Sequence, residues 1–469
     1  MEKLMYMMMI EKSKTYNKMT KQVVMEQVEN IRKLDDEGKP ERQPAAGLHL
    51  SQEKVTDCLY RKRGFSFIMI SGRKKRRRQQ MEDGRGRVIF WYGIPAYGHV
   101  YSNIYLAGRL AESGFRVVYY SLPGFAEEIE GNGCEYRSYP MEPGELELTD
   151  GSRIRRLYRL ILEYSQKMLP VLMEQARRDR PCAVIFDSLA LWGRVAGFWM
   201  QVPSFSFYSI AAIRRVGDRG FWEYARGFSG DFWKCPEEVP RILRLKRQLR
   251  RDWKIRGLGV KDVLMNQGDW NLMGYSRRFQ PGGKNFDASY WFLGPMSMYR
   301  KAAERNDFVC RDKTLIYISL GTIFNQNARL LHEIVRQLGK GNGGKSHRPE
   351  YSVVMVWGEQ AFEGQKEFPE NFIVRRWINQ GEIMQRASLF ITAGGLNSIH
   401  EALYYGVPCL MCPQQGEQML NARQFERLGF GRILKDPSGL GEEVERTIRL
   451  RRQWNEQWRR EMFETEDIG

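Results

Sequence analysis

A chain of 469 residues with 42% hydrophobic and 12% aromatic content is too apolar for a disordered protein and long enough for two or three domains. No apolar run approaches the ~20 residues of a membrane span, and the short apolar start meets Glu11 and Lys12 at once, so the reading is cytoplasmic. Half of the +18 net charge lies in residues 1–80, where 19 Lys/Arg stand against 10 Asp/Glu. The run Arg73-Lys74-Lys75-Arg76-Arg77-Arg78 would hold phosphate backbones without sequence preference, but a solvated tail explains it as well, and no specific nucleic-acid partner is expected.

Residues 1–80 offer one helical stretch, 20–34, and are read as a disordered basic extension, appended to a core that begins near Met81. A strand over 88–92 then leads through a Gly/Pro loop to an amphipathic helix over 101–113, with Ile104, Ala107, Leu110 and Ala111 at helical spacing and Gly114 as its stop. Next come a strand over 115–120, a long helix over 153–178, a strand over 183–186 and a basic, Trp-rich helical region over 211–265. After the polar stretch 299–313 a second series begins. Its strands fall near 315–319, 352–357, 372–375, 388–392 and 408–412, its helices near 327–338, 380–386 and 397–405, and a basic helix over 446–463 ends the chain. Strand-helix alternation of this kind predicts an α/β protein with two Rossmann-like parallel-sheet domains, 81–305 and 306–469, facing each other across a cleft.

Two motifs are set aside. Gly339 to Ser346 spells G-x-x-x-x-G-K-S, but a phosphate-binding loop needs a strand before it and a helix after it, and here the order is reversed, so it is read as a flexible surface loop. Cys409 and Cys412 form one C-x-x-C in an apolar run with no second pair, which suits two buried thiols better than a metal site.

The stronger signal is Leu389 to Leu403, where an apolar strand enters Gly394-Gly395 and passes straight into a helix. Such a turn aims backbone amides and a positive helix end at an anion, with Asn397 and Ser398 as further donors. Glu417-Gln418 follows the next strand and suits the reading of sugar hydroxyls.

Taken together, Trp377-Ile378-Asn379-Gln380, the block Ile391 to Pro408, Pro413 to Gln418, Ile318 to Thr322 and Phe292 to Pro295 resemble the UDP-sugar glycosyltransferase family, most closely its bacterial macrolide-type members. The resemblance spans about 86 to 445 and implies an N-terminal acceptor-binding domain and a C-terminal nucleotide-sugar-binding domain (GT-B architecture). It also implies roles. Trp377 and the backbone of Ile378, with Gln380 nearby, hold the uracil; Glu401 bonds the ribose; Ser319, Thr322, Gly394, Gly395, Asn397 and Ser398 face the diphosphate; Glu417 and Gln418 bind the transferred sugar. The co-substrate is a UDP-sugar, with UDP-glucose expected, and there is no further cofactor.

Transfer to a hydroxyl needs a base. His99, in Pro95-Ala96-Tyr97-Gly98-His99-Val100 after the first strand, matches the family's base, and Asp187 at the end of the 183–186 strand matches the acid that holds it. A helix N-cap is the alternative use of Asp187. No D-x-D is present, so no metal is indicated, and the implied reaction inverts the anomeric centre with a small, apolar or aromatic, macrolide- or natural-product-like acceptor. One position departs from the family: Ala393 stands where a diphosphate-binding histidine is usual, and losing one such donor costs ~2.7–4 kcal/mol in a catalytic site. That departure motivates the alternative of a catalytically impaired nucleotide-sugar binder. A nucleic-acid-binding protein using the basic tail is the third reading.

Overall fold

The computed structural model describes residues 87–141, 154–212, 235–255, 257–295, 314–321, 328–339, 351–356, 368–414 and 416–454. The basic extension with its expected helix, the Met81 start, Thr322 and most of the P-loop-like run lie outside these residues.

The N-terminal half runs β1 (Val88–Tyr92), α1 (Tyr97–Glu112), β2 (Arg116–Ser121), α2 (Ala126–Gly131), β3 (Glu135–Ser138), α3 (Ile154–Asp179), β4 (Ala183–Asp187), α4 (Leu191–Met200) and β5 (Ser204–Tyr208). It continues with α5 (Glu238–Trp253), α6 (Val260–Leu264), β6 (Trp270–Met273) and β7 (Tyr290–Phe292). Its seven strands pair in parallel in the order β3-β2-β1-β4-β5-β6-β7. Strands such as Val-Ile-Phe-Trp-Tyr are apolar at every position because helices cover both faces. Ile89 and Trp91 meet Val100, Ile104 and Ala107 of α1 on one face. On the other, Phe90 and Tyr92 join Leu162 and Leu169 of α3 and Trp192 of α4.

The C-terminal half repeats the plan: β8 (Thr314–Ser319), α7 (Ala328–Leu338), β9 (Tyr351–Val356), β10 (Phe372–Arg375), α8 (Gln380–Met384), β11 (Leu389–Thr392), α9 (Leu396–Tyr404), β12 (Cys409–Met411), α10 (Gly416–Arg427), β13 (Gly431–Ile433) and α11 (Leu440–Leu450). The six parallel strands are ordered β10-β9-β8-β11-β12-β13. Helices α7 and α11 pack through Leu331, Ile334 and Val444 on one face. Ala422 and Phe425 of α10, with Ile399 and Ala402 of α9, cover the other.

Three expectations are corrected. The helix expected from residue 101 begins at Tyr97, one turn earlier, which moves His99 from a loop into a helix. The helix expected over 446–463 instead stops at Leu450 and tightens into a 3-10 turn over Arg451–Gln453, and its part over 455–463 lies outside the described residues. The helix after β4 is capped by Ala190, not by Asp187. The two thiols of the C-x-x-C are buried on opposite faces of the sheet, Cys409 with α9 and α10 and Cys412 with α7 and α11, so they share no site. Burial pushes both thiols up, Cys412 to about 12. Among the described residues no helix is long and apolar enough to cross a membrane.

The joint between the halves is a polar and aromatic seam. Gln424 on α10 donates to the Arg278 carbonyl, and His400 on α9 packs edge-on against Phe279 with ring centroids 4.4 Å apart.

Candidate active site

In both sheets the strand order reverses beside the first strand, between β1 and β4 and between β8 and β11. Open parallel sheets leave a crevice at such a point, beyond the carboxyl ends of the strands. His99 follows β1 and Asp187 ends β4; Ser319 ends β8 and Gly394-Gly395 follow β11. Both groups of expected site residues therefore sit at switch points, and the seam brings the two points together.

On the N-terminal side the register explains the geometry. Asp187 pairs with Phe207 of β5, so both face α1, as does Ser209 two residues further on. The first turn of α1 lies over these strand ends. His99 Nδ1 stands 2.7 Å from Asp187 Oδ2 and 2.8 Å from Ser209 Oγ. A carboxylate only accepts, so Nδ1 carries the proton and Nε2 keeps its lone pair. Asp187 is fully buried and receives two more hydrogen bonds, from the Leu189 amide at 2.9 Å and the Ser209 hydroxyl at 3.3 Å. The His99 backbone is fastened too: its carbonyl accepts from Ser102 Oγ and Asn103 Nδ2, and Tyr119 bonds Asn103 in turn.

Two glycines make close packing possible. A Cβ at Gly193 on α4 would lie 2.3 Å from the Phe186 Cβ, so α4 reaches the strand end before Asp187 only without a side chain there. Gly394 has φ of +85°, a left-handed conformation, and lies under the Gln418 carbonyl.

On the C-terminal side the expected residues gather in two groups. Gln380 Nε2 donates to Glu401 Oε2 at 2.6 Å, linking α8 to α9, and the Tyr317 hydroxyl donates to Gln380 Oε1. Ile378 is buried next to them, while Trp377 is 63% exposed at the loop tip. The second group surrounds the glycine turn. Gly395 is the N-cap of α9 and supplies no side chain, which leaves first-turn amides for another partner. Asn421 donates to the Gly394 carbonyl at 3.3 Å and to Glu417 Oε1 at 3.5 Å. Gln418 Oε1, in the first turn of α10, accepts from the Gln414 amide of the loop before it.

Asn397 has a different contact from the expected one. Its side-chain amide crosses to the other half and donates to the Gly98 carbonyl at 2.7 Å, one residue from His99. Ser398 lies half-buried in the first turn of α9. Ala393 is buried, and His400 is turned toward Phe279 and Tyr275, its pKa lowered to about 4 by burial, so His400 does not replace the missing histidine at the glycine turn.

The electrostatics join the halves. Burial acts to lower the His99 pKa, but the charge and hydrogen bond of Asp187 and the charge of Glu417 outweigh it, and the net shift is upward. Burial raises the Glu417 pKa against the opposing pull of His99. An imidazole from one half thus lies in the field of a carboxyl from the other.

Sequence reasoning missed Ser209, the Ser102–Asn103 clamp, Tyr317 and Asn421. A lone serine or asparagine has no recognisable spacing, since each is brought to the site by a strand end or a helix turn far along the chain.

A family profile described as the glycosyltransferase family 28 C-terminal domain matches residues 322–466. The uncharacterized UDP-glucosyltransferase YojK of Bacillus subtilis is 28% identical over 360 residues, covering 74% of this chain and 85% of that protein. The oleandomycin glycosyltransferase of Streptomyces antibioticus is 24% identical over 352 residues, covering 74% and 79%. Among solved structures, the calicheamicin glycosyltransferase CalG4 shares the fold with a TM-score of 0.64 at 22% identity, over 81% of this chain and 94% of that one. With two parallel-sheet domains and a crevice at each switch point, the chain has the GT-B fold, and along most of its length it is similar to bacterial UDP-glucosyltransferases and macrolide glycosyltransferases.

Proposed function

We propose that the protein is an inverting glycosyltransferase that moves a hexose from a UDP-sugar, UDP-glucose in the first instance, to a hydroxyl of a small apolar or aromatic acceptor. The observation that carries this reading is the His99 Nδ1 to Asp187 Oδ2 contact of 2.7 Å at the mouth of the crevice, opposite Glu417. Asp187 holds the ring in the tautomer whose Nε2 can take a proton. The acceptor hydroxyl gives its proton to Nε2 and its oxygen attacks the anomeric carbon. The bond to the diphosphate breaks, and its electron pair leaves with the diphosphate. One displacement of this kind inverts the anomeric centre.

On the donor side, Trp377 offers an aromatic face to the base, Glu401 steadied by Gln380 accepts from ribose hydroxyls, and the amides of Gly395 and the first turn of α9 receive the diphosphate. Ser319 and Thr322 add hydroxyls for the diphosphate, and Glu417 and Gln418 take the sugar. Domains divide at about 305, and the reaction runs in the cytoplasm, in keeping with the free thiols of Cys134, Cys182, Cys409 and Cys412. A pure nucleotide-sugar binder has no use for an acid-held histidine, and no other observation favours that alternative.

The test is His99→Ala in the full chain, assayed with UDP-glucose and a panel of phenolic and macrolide acceptors, with UDP binding followed by calorimetry. The expected result is loss of transfer with UDP affinity unchanged. Turnover within tenfold of wild type removes His99 as the base.

A further inference from the structure

We propose that Ser209 is a positioning residue for the base: its buried hydroxyl, between His99 Nδ1 and Asp187 Oδ2, fixes the direction of the imidazole ring that Asp187 holds in the Nδ1–H tautomer. The proposal rests on the reading of His99 as the base and adds a third member to that pair.

The fold places Ser209 where no sequence motif would put it. It follows β5 directly, on the face that Phe207 and Asp187 share, and is 6% exposed. Its Oγ lies 2.8 Å from Nδ1 and 3.3 Å from Oδ2. A hydroxyl meets both partners at once, accepting from Nδ1–H while donating to the carboxylate, whereas a methyl or a second carboxylate cannot. Asp187 alone touches Nδ1 through a single oxygen, which leaves the ring free to pivot about that contact. Ser209 supplies a second acceptor to one side and removes the pivot. It also gives Oδ2 a donor, so the carboxylate stays turned toward the ring while Leu189 holds Oδ1.

During transfer Ser209 moves no proton. Nε2 gains the acceptor's proton, and Nδ1–H stays on the ring, shared between Asp187 and Ser209 throughout. The contact to the Asp187 carboxylate is charge-assisted from the start; once the ring is cationic the contact to Ser209 becomes so too, and the hydroxyl contributes more after proton uptake than before it.

The test uses the full chain with 15N-labelled histidine rings, the His99 signals being assigned by comparison with His99→Ala. Wild type is expected to show protonated Nδ1 and bare Nε2 at a pH above the His99 transition. In Ser209→Ala the tautomer stays Nδ1–H, held by Asp187, but the ring pivots, its signals broaden by exchange, and kcat falls about tenfold, the worth of one hydrogen bond to a charged group. Acceptor KM and UDP affinity stay within twofold. Ser209→Thr, which keeps the hydroxyl, restores both the sharp ring signals and kcat. Ring signals in Ser209→Ala as sharp as in wild type overturn the proposal whatever happens to turnover, and so do broadened signals with unchanged kcat. If His99→Ala itself retains turnover, the base reading fails, and the ring signals still decide whether Ser209 holds the ring.

Discussion

His99 in the N-terminal half and Trp377 in the C-terminal half are held in opposite ways. His99 is gripped by Asp187 and Ser209 at the ring and by Ser102 and Asn103 at the backbone, all of them buried. Trp377 is 63% exposed on a loop tip, and the glycine turn beyond it offers backbone amides in place of side chains. The N-terminal half presents a finished corner of packed side chains around one imidazole, whereas the C-terminal half presents backbone amides and an exposed aromatic face. The roles proposed above supply a physical reason. A base needs one tautomer and one direction, which requires packed side chains. A polyanion is bound well by amides and a helix end, which need only the right backbone turn.

Breaking the finished corner should cost most. Asp187→Asn leaves the shape but loses the acceptor that selects the Nδ1–H tautomer, and transfer should fall by about 10³–10⁴-fold with UDP affinity unchanged. A loss below tenfold in steady-state kcat would mean that the corner does not work as a preassembled unit. Next comes packing. Gly193→Ala drives a methyl into Phe186, one residue before Asp187, and should lower stability by about 1–3 kcal/mol in urea unfolding, with a parallel loss of kcat. Stability lost with full activity would separate the corner from the fold beneath it.

The donor half should respond more gently. Ala393→His adds one donor at the glycine turn and should tighten UDP binding about tenfold by calorimetry, the value of one charge-assisted hydrogen bond. No gain would show that amides and hydroxyls already serve the diphosphate.

The pH profile tests the link between the halves. A base works only when neutral, so activity falls as pH drops through the His99 pKa. Because Asp187 and Glu417 lift that pKa against burial, the acid limb of kcat/KM should lie above the ~6.5 of a free histidine. Glu417→Gln removes one lifting charge and should move the limb to lower pH, a smaller effect than any above. A limb that stays in place would leave the two corners electrostatically independent.

Much of the fold and of the site is legible in the order of the amino acids. The inner strands β1, β4, β8, β11 and β12 stand out as short, mainly apolar runs, whereas β3, with Glu135 and Arg137, and β13, with Arg432, do not; the glycine turn, Glu401 and His99 lie within recognisable motifs. The start of α1 is not legible in the same way. Tyr97 and Gly98 carry loop chemistry, while packing of Val100 and Ile104 on the sheet extends the helix back through them. The Asn397 contact escapes a local reading for a related reason. Its motif position points at the anion site, but only the closing of one half on the other brings the Gly98 carbonyl within 2.7 Å.

The sequence by itself determined the fold class and the two switch-point sites, and it singled out His99 and Asp187, because apolar periodicity and motif order are local properties of the chain. Only the tertiary structure decided that Ser209 shares the base's proton, that Asn397 bridges the halves and that Glu417 lies in the field of His99. Those contacts join residues 110, 299 and 318 positions apart, and no local pattern encodes a distance that strand register and domain closure set together.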